Sequence, residues 1–546
     1  MKFSAAVGSL PASRESASAE KGEAGAVSLA AIRPRLLRVE ILALAIIVAI
    51  GLVHLPQPFH DDQTFFTLGG MKLSQGAVLY RDYWDIKQPG IFAFYWAGGK
   101  LFGFTEAGIH GFELLYMFSL AIVLIATLRN YFEQRWGPAL AVLLTVGFYY
   151  GVCGLPHQYG DYLTNVEGLV NFPMFLALWF ASRAGERDRP RWQNLFWSGV
   201  MGGAVLALKL MFLPILLCFW AAAFAFPGLH RHGMVRSALR FALPTAFGLA
   251  VPLALVCAYF AWHHSLDALY YTTFLWPIHA LGKLPHAGPG RLYEALGFFF
   301  DGFAPLLGLG LVGTWWALRQ GRSLLTINLL LWIFSGALVI LVQVRSWWPY
   351  HFLLLVVPLG LLATRGVESL WSQLAHPEWG LRRPKRAAIF GLALILAFSP
   401  VIYPVVMDAL LLARYRFALT PASRLAFQCR YPHSLYPAAL AEIGFLSQPG
   451  SLAGPIYVGG SPLYYFLSGR MPVIALSYGL DDLVPEQWQD FHRQLVQARP
   501  VYVFLLPEFA QWIQQSSPQT LRFIEVNYRM LHASDTGTWY VAKPRG

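Results

Sequence analysis

About eleven apolar runs fill the chain between residues 36 and 405, and they constrain its fold more than any other feature. They fall at about 36–55, 108–128, 138–150, 168–181, 194–208, 210–226, 239–262, 295–318, 324–342, 350–363 and 387–405. A bilayer core asks for about 20 apolar residues per helix, and most runs approach that length. Charged residues make up only 13% of the 546, against about a quarter in soluble domains, and mean hydropathy is +0.48. A soluble enzyme, a disordered scaffold and a disulfide-stapled secreted module are thereby excluded. The expectation is a mainly α, polytopic membrane protein with about eleven transmembrane helices.

The net charge of +12 sets orientation rather than calling for nucleic acid, and no nucleic-acid partner is expected. With a cytoplasmic N-terminus, the inner loops hold the clusters Arg129/Arg135, Arg183–Arg191, Arg231–Arg240, Arg319/Arg322 and Arg365–Arg386. The outer loops hold few cations: Lys72, Arg81, Lys87, Lys283, Arg291 and Arg345. Residues 1–35, rich in Ala, Ser, Gly and Glu, read as a disordered cytoplasmic tail. The first run lacks a small-x-small cleavage site before Pro56, so it reads as an uncut span rather than a signal peptide. Residues 36–407 form the transmembrane part, with 57–89 as a first outer loop of interfacial helices. An odd number of spans puts residues 408–546 outside. There, strand-like runs at 456–458, 501–506 and 538–542 alternate with polar helical stretches such as 486–498, the pattern of a small extracytoplasmic α/β domain. Gly459-Gly460 reads as a strand-to-helix turn, being too short for a phosphate loop. Of the four cysteines none has metal-ligand spacing; a Cys153–Cys429 bridge is conceivable without support from the sequence.

In a chain this poor in acids, the acids that remain are informative. An ionised group at bilayer depth costs on the order of 2.5–3.5 kcal/mol on insertion scales, so such residues read as functional. The first outer loop carries Asp61-Asp62 and then Asp85 and Lys87 before Pro89; the second carries Asp161 and Glu167, the latter running straight into a span. Carboxylates at the outer interface serve as a general base or bind a divalent metal. The plainer reading of Asp61 and Asp62 is an N-cap and first-turn acid of a peripheral helix over 63–74, and of Asp85 and Lys87 a solvated turn. Lys209 interrupts an apolar stretch before Pro214, where it either meets an anionic phosphate or snorkels. Arg345 and Tyr350-His351 mark another outer boundary. An aromatic belt accounts for Trp347-Trp348 but not for Arg345 or His351. Carboxylates with cations suit transfer of a group from a lipid phosphate. They equally suit an ion-coupled transporter.

The order of motifs resembles the protein O-mannosyltransferase and aminoarabinose-transferase superfamily of C-type glycosyltransferases. The matching residues are the acidic pair Asp61-Asp62, Gly76-x3-Tyr80-x-Asp82, Asp85-x-Lys87-x-Pro89-Gly90 and Leu101-Phe102-Gly103. Asn165-Val166-Glu167, Lys209 with Pro214, Tyr350-His351-Phe352 with Pro358, and 456–470 in the tail follow in order. The resemblance spans about 40–546 and implies the GT-C fold. It departs from the family's Asp-Glu at Asp61-Asp62, and from the commoner His-Tyr order at Tyr350-His351.

That resemblance implies a membrane glycosyltransferase moving a hexose or pentose from a polyprenyl-phosphate sugar to a protein, lipid A or cell-envelope glycan. It implies Asp61 as the acceptor-side carboxylate, with Asp62 and Glu167 beside it and Asp85 and Asp161 in support. Lys87 would be the phosphate contact, with Lys209, Arg345, Tyr350 and His351 near the lipid phosphate. The resemblance names no certain cofactor; the acids could hold a divalent metal, but no ligand set is compelling. A bacterial inner membrane is the expected location. The alternative is a transporter or flippase of lipid-linked sugars, which would be expected to hold its ionisable groups near the midplane rather than in loops.

Overall fold

The computed structural model describes residues 36–154, 163–185, 191–226, 234–284, 286–321, 323–374, 383–477, 479 and 482–544. Every apolar run becomes helix. The chain opens with α1 (Arg38–His54), α2 (Asp61–Ser74), α3 (Pro89–Phe102) and α4 (Glu106–Leu128). Of these, α3 lies in a stretch where sequence hydropathy indicated no run. Its 14 residues carry Lys100 and a Gly98-Gly99 pair, which dilute its apolar signal. Among the described residues, five helices are long and apolar enough to cross a membrane alone: Glu106–Leu128, Ser237–Trp262, Pro289–Gln320, Leu324–Val342 and Pro349–Leu374. The last run, expected as one span, is a pair of helices, Pro384–Ala397 and Ser399–Arg414, bent by 76°; Pro400 and Pro404 lie just past the bend. Shorter apolar helices at Gly137–Cys153 and Leu210–Ala225 pack with them, as do α1, Asn171–Gly185 and Trp192–Leu208.

Between lipid-solvated helices apolar burial supplies little drive, so close contact comes from small residues. The helices Pro289–Gln320 and Val356–Leu374 meet through paired glycines. A Cβ on Gly313 would lie 1.9 Å from the Leu362 carbonyl oxygen, and one on Gly366 would lie 2.0 Å from that of Leu309. At the end of the bundle where α1 begins, buried charges are paired. Arg129 binds Glu40 at 2.6 Å, and Arg365 reaches Glu368 at 2.9 Å and Glu133 at 3.3 Å.

The C-terminal part builds a four-stranded sheet from β1 (Ile456–Gly459), β2 (Tyr502–Leu505), β3 (Tyr528–Ala533) and β4 (Thr538–Ala542), in the order β1-β2-β4-β3. The β1–β2 pair is parallel, the others antiparallel, and both β1 and β2 are buried along their whole length. Helix Pro485–Ala498 supplies the crossover that a parallel pair needs. β3 had no counterpart in the sequence reading, because five of its six residues are exposed and show no alternation. Hydrogen bonds tie this part to the helices. The Tyr436 hydroxyl donates to Glu106 (2.6 Å), Trp84 N–H donates to the Ala475 carbonyl (3.1 Å), and Gln57 donates to Asp408 (3.1 Å) and Tyr431 (2.6 Å).

The glycine contact gives a test within one helix. Gly313→Ala should lower stability by about 1–3 kcal/mol through overpacking. Gly297→Ala, in the same helix with no neighbour within 4 Å, should be neutral or slightly stabilising. Thermal unfolding of both variants in detergent checks the pair.

Candidate active site

Helix α2 starts at Asp61, two residues earlier than the sequence reading placed a peripheral helix, and both acids sit in its first turn, a favourable place against the helix dipole. Neither is used up in capping. His60 is the extended residue before the helix, and its N–H is taken by the Gln63 side chain at 2.9 Å. Asp61 is thus left to receive the Ser461 hydroxyl, which donates to its Oδ1 at 2.5 Å. Burial raises the Asp61 carboxyl above the usual range; the Ser461 hydrogen bond works against this, and the neighbouring Asp62 charge adds to it.

The segment after α2 is a folded platform. Gly76, at φ +94°, ends the helix. The Asp82 carboxylate accepts from Val78 N–H at 2.8 Å, Tyr80 at φ +67° donates its N–H to the Tyr83 carbonyl at 2.7 Å, and the Tyr80 hydroxyl donates to the Lys87 carbonyl at 2.6 Å. The Gly76-x3-Tyr80-x-Asp82 motif is therefore scaffold that presents Asp85 and Lys87. At Gly90, a Cβ would lie 2.6 Å from the Ala207 carbonyl oxygen, so only glycine lets the start of α3 come against the helix end that precedes Lys209.

Lys87 is half-buried. Burial alone would lower its affinity for a proton, but Asp62, Tyr350, Asp85 and Asp482 together hold the ammonium well above its ordinary range. Burial pushes the Asp85 carboxyl up to about 6 against the opposing charge of Lys87.

Glu167 reaches the same region by another route. Thr164 takes a left-handed conformation at φ +55° and sits in a network of four hydrogen bonds. Its N–H donates to Glu113 Oε1 (3.1 Å), its hydroxyl receives Tyr95 (2.8 Å), Gln63 donates to the adjacent Leu163 carbonyl (2.8 Å), and the Tyr149 hydroxyl donates to Glu113. The turn Val166–Leu169 then delivers Glu167, 2% exposed, to Lys209 Nζ at 2.5 Å and His351 Nε2 at 3.8 Å. Lys209 sits in an extended break between Trp192–Leu208 and Leu210–Phe212, and also donates to Gln343 Oε1 at 2.8 Å. The cation that the sequence left between a phosphate contact and snorkelling is thus engaged by a carboxylate.

Arg345 pairs with Asp482 at 2.9 Å, and its guanidinium lies 5.5 Å from the Trp276 ring centre; the Trp276 indole donates to the Asp482 carbonyl at 3.1 Å. The Tyr350 ring stacks parallel to Trp348 at 6.4 Å. His351 is buried, and its Nδ1 has no hydrogen-bond partner among the described residues. Asp61, Asp62, Asp85, Lys87, Glu167, Lys209, Arg345, Tyr350 and His351 thereby form one linked set; Asp161 lies outside the described residues. Sequence reasoning missed Ser461, Asp482, Glu113 and Gln343. Glu113 carried a signal, being an acid inside the span 108–128; the others are ordinary polar residues until the fold brings them in. Among the described residues no group of three His, Cys, Asp or Glu side chains has metal-holding geometry, and all four cysteines are free.

The Glu167–Lys209 pair predicts a coupling. Glu167→Ala should cost about 3–5 kcal/mol by leaving a buried ammonium uncompensated, and adding Lys209→Met should recover most of the loss. Unfolding of the single and double variants in detergent measures it.

Comparison with known proteins follows this geometry. The dolichyl-phosphate-mannose-protein mannosyltransferase family matches residues 87–276, the stretch from Lys87 through Glu167 and Lys209 to Trp276. No curated protein sequence matches the chain. Among solved structures, ArnT from Cupriavidus metallidurans bound to undecaprenyl phosphate is similar over 92% of this chain and 99% of its own, at 14% identity and TM-score 0.55. Its apo state matches with the same coverage and TM-score at 15% identity. The oligosaccharyltransferase AglB from Archaeoglobus fulgidus, with an inhibitory peptide and dolichol-phosphate, covers 92% of this chain and 74% of its own, at 13% identity and TM-score 0.47. The overall architecture is that of a multi-pass membrane protein with the GT-C fold, and residues 87–276 are similar to the dolichyl-phosphate-mannose-protein mannosyltransferase family.

Proposed function

We propose that the protein transfers a sugar from a polyprenyl-phosphate donor to a hydroxyl-bearing acceptor on the outer face of a bacterial inner membrane, with the N-terminus cytoplasmic and the C-terminal sheet outside. The observation that carries this reading is the junction of α2 with the Lys87 platform. A carboxylate on a helix outside the spans stands next to a second carboxylate, Asp62, which faces an ammonium held fully charged.

In this reaction Asp61 takes the proton of the acceptor hydroxyl. The acceptor oxygen attacks the anomeric carbon from the face opposite the phosphate, and the bond from that carbon to the phosphate oxygen breaks. The electron pair leaves with the polyprenyl phosphate, and the configuration inverts. Lys87 and Arg345 neutralise the charge growing on the leaving phosphate, an interaction worth a few kcal/mol of barrier when preorganised, about 3–4 kcal/mol where single donors have been removed. Tyr350 and His351 line the same region, and Glu167 holds Lys209 beneath it. Binding of undecaprenyl phosphate by the structurally similar ArnT supports a polyprenyl-phosphate donor. The acceptor class is protein, lipid A or cell-envelope glycan.

Two outcomes are expected. Purified protein given a panel of polyprenyl-phosphate sugars and membrane extract should release free polyprenyl phosphate, seen by mass spectrometry. Asp61→Asn should abolish release while keeping the wild-type unfolding temperature. Donor binding without release by the wild type would favour a transporter instead, and the same assay with chelator reports whether a divalent cation joins Lys87 at the phosphate. The second outcome concerns Asp85, whose carboxyl titrates at about 6. Below that pH it is neutral and stops competing with a phosphate for Lys87; above it, the negative charge competes. Affinity for a non-cleavable polyprenyl phosphodiester should therefore strengthen several-fold as pH falls from 7 to 5, and Asp85→Asn should erase that step.

A further inference from the structure

The diglycine at the end of β1 has no place in the chemistry so far, yet it shapes the contact that Ser461 makes with Asp61. β1 runs parallel to β2, and its last residue, Gly459, lies against the end of that strand: a Cβ there would stand 2.9 Å from the Leu505 side chain, and one on Gly460 would stand 3.0 Å from Leu506. Without side chains at both positions the chain leaves the strand end tightly and presents Ser461 to α2. This is the carboxyl end of a parallel strand pair, where α/β sheets place their functional loops.

The Ser461 hydroxyl has one proton and its bonding there is polarised. Its oxygen accepts from Leu463 N–H at 3.3 Å, so its proton is free to go to Asp61 Oδ1 at 2.5 Å. A hydroxyl that donates in this way requires an acceptor oxygen and favours the ionised carboxylate. It also occupies Oδ1, and among the described residues Oδ2 has no hydrogen-bond donor, which leaves it as the atom for an incoming hydroxyl. Among the described residues, the titratable groups that face Asp61 are Asp62 on α2 and Tyr464 on the helix Leu463–Ser468. Burial and Asp62 both favour the protonated acid, and Ser461 opposes them.

We propose that Ser461 is a positioning residue for transfer: delivered by the C-terminal sheet, it fixes the orientation of the Asp61 carboxylate and keeps it ready to accept a proton, so that the base is complete only with the sheet docked. The proposal rests on the reading of Asp61 as the base, and the experiment separates the two. Transfer is measured against pH for the wild type, Ser461→Ala, Ser461→Thr and Asp61→Asn, with donor KM and kcat resolved. Ser461→Ala should lower kcat about tenfold, on the scale of a misoriented catalytic group, leave donor KM within twofold, and move the acid limb of the kcat profile to higher pH. Ser461→Thr, which keeps the hydroxyl, should restore both kcat and the acid limb. A wild-type profile for Ser461→Ala overturns the proposal. So does a fall in kcat with an unmoved acid limb, or an equal loss in Ser461→Thr, because packing alone would then explain it. Full activity in Asp61→Asn instead overturns the base assignment itself.

Discussion

Lys87 is an ammonium half-buried at the junction of a helical bundle and a soluble-type sheet, and the arrangement around it follows from the cost of that charge. A cation taken out of water needs opposite charge and hydrogen bonding, or it neutralises. Here the compensating carboxylates come from three places: Asp62 on α2, Asp85 on the platform, and Asp482 from the C-terminal part. With several acids sharing one base, part of the negative charge is in excess, and burial holds Asp85 at a raised pKa.

Asp482 spans two cations, pairing with Arg345 while lying within electrostatic reach of Lys87. Ser461 and Asp482 both belong to the C-terminal part. The sheet therefore does more than cover the bundle; it supplies a hydroxyl to one side of the site and a carboxylate to the other. The hydrogen bonds of Tyr436 to Glu106 and of Trp84 to Ala475 fix that docking on either side.

The opposite end of the bundle shows the same physics used for architecture. Glu40 with Arg129 ties α1 to the end of α4, while Arg365 pairs with Glu368 one turn along its own helix and reaches the exposed Glu133. They lie where the basic residues of the expected inner loops cluster.

The membrane class, the helix positions and the α/β tail were legible because each depends on a local pattern. A run of 15–25 apolar residues has to become a buried or lipid-facing helix wherever it occurs, and a strand signal needs only a few neighbours. The exceptions were local too: α3 was short and diluted, and β3 lies exposed at the sheet edge without alternation. Asp61, Lys87 and Glu167 stood out as charges in the wrong solvent, which is again a property of the neighbouring sequence. Their partners were not visible in that way. Ser461 is 400 residues from Asp61, Asp482 is 137 from Arg345, and Lys209 is 42 from Glu167. A serine or an aspartate in a polar tail carries no mark of what it will touch, because pairing energy exists only once the chain has closed those distances. The sequence by itself determined that this chain enters a membrane as helices and holds scarce charges at their ends. The tertiary structure alone decided which charge meets which, because that depends on distances only the closed fold sets.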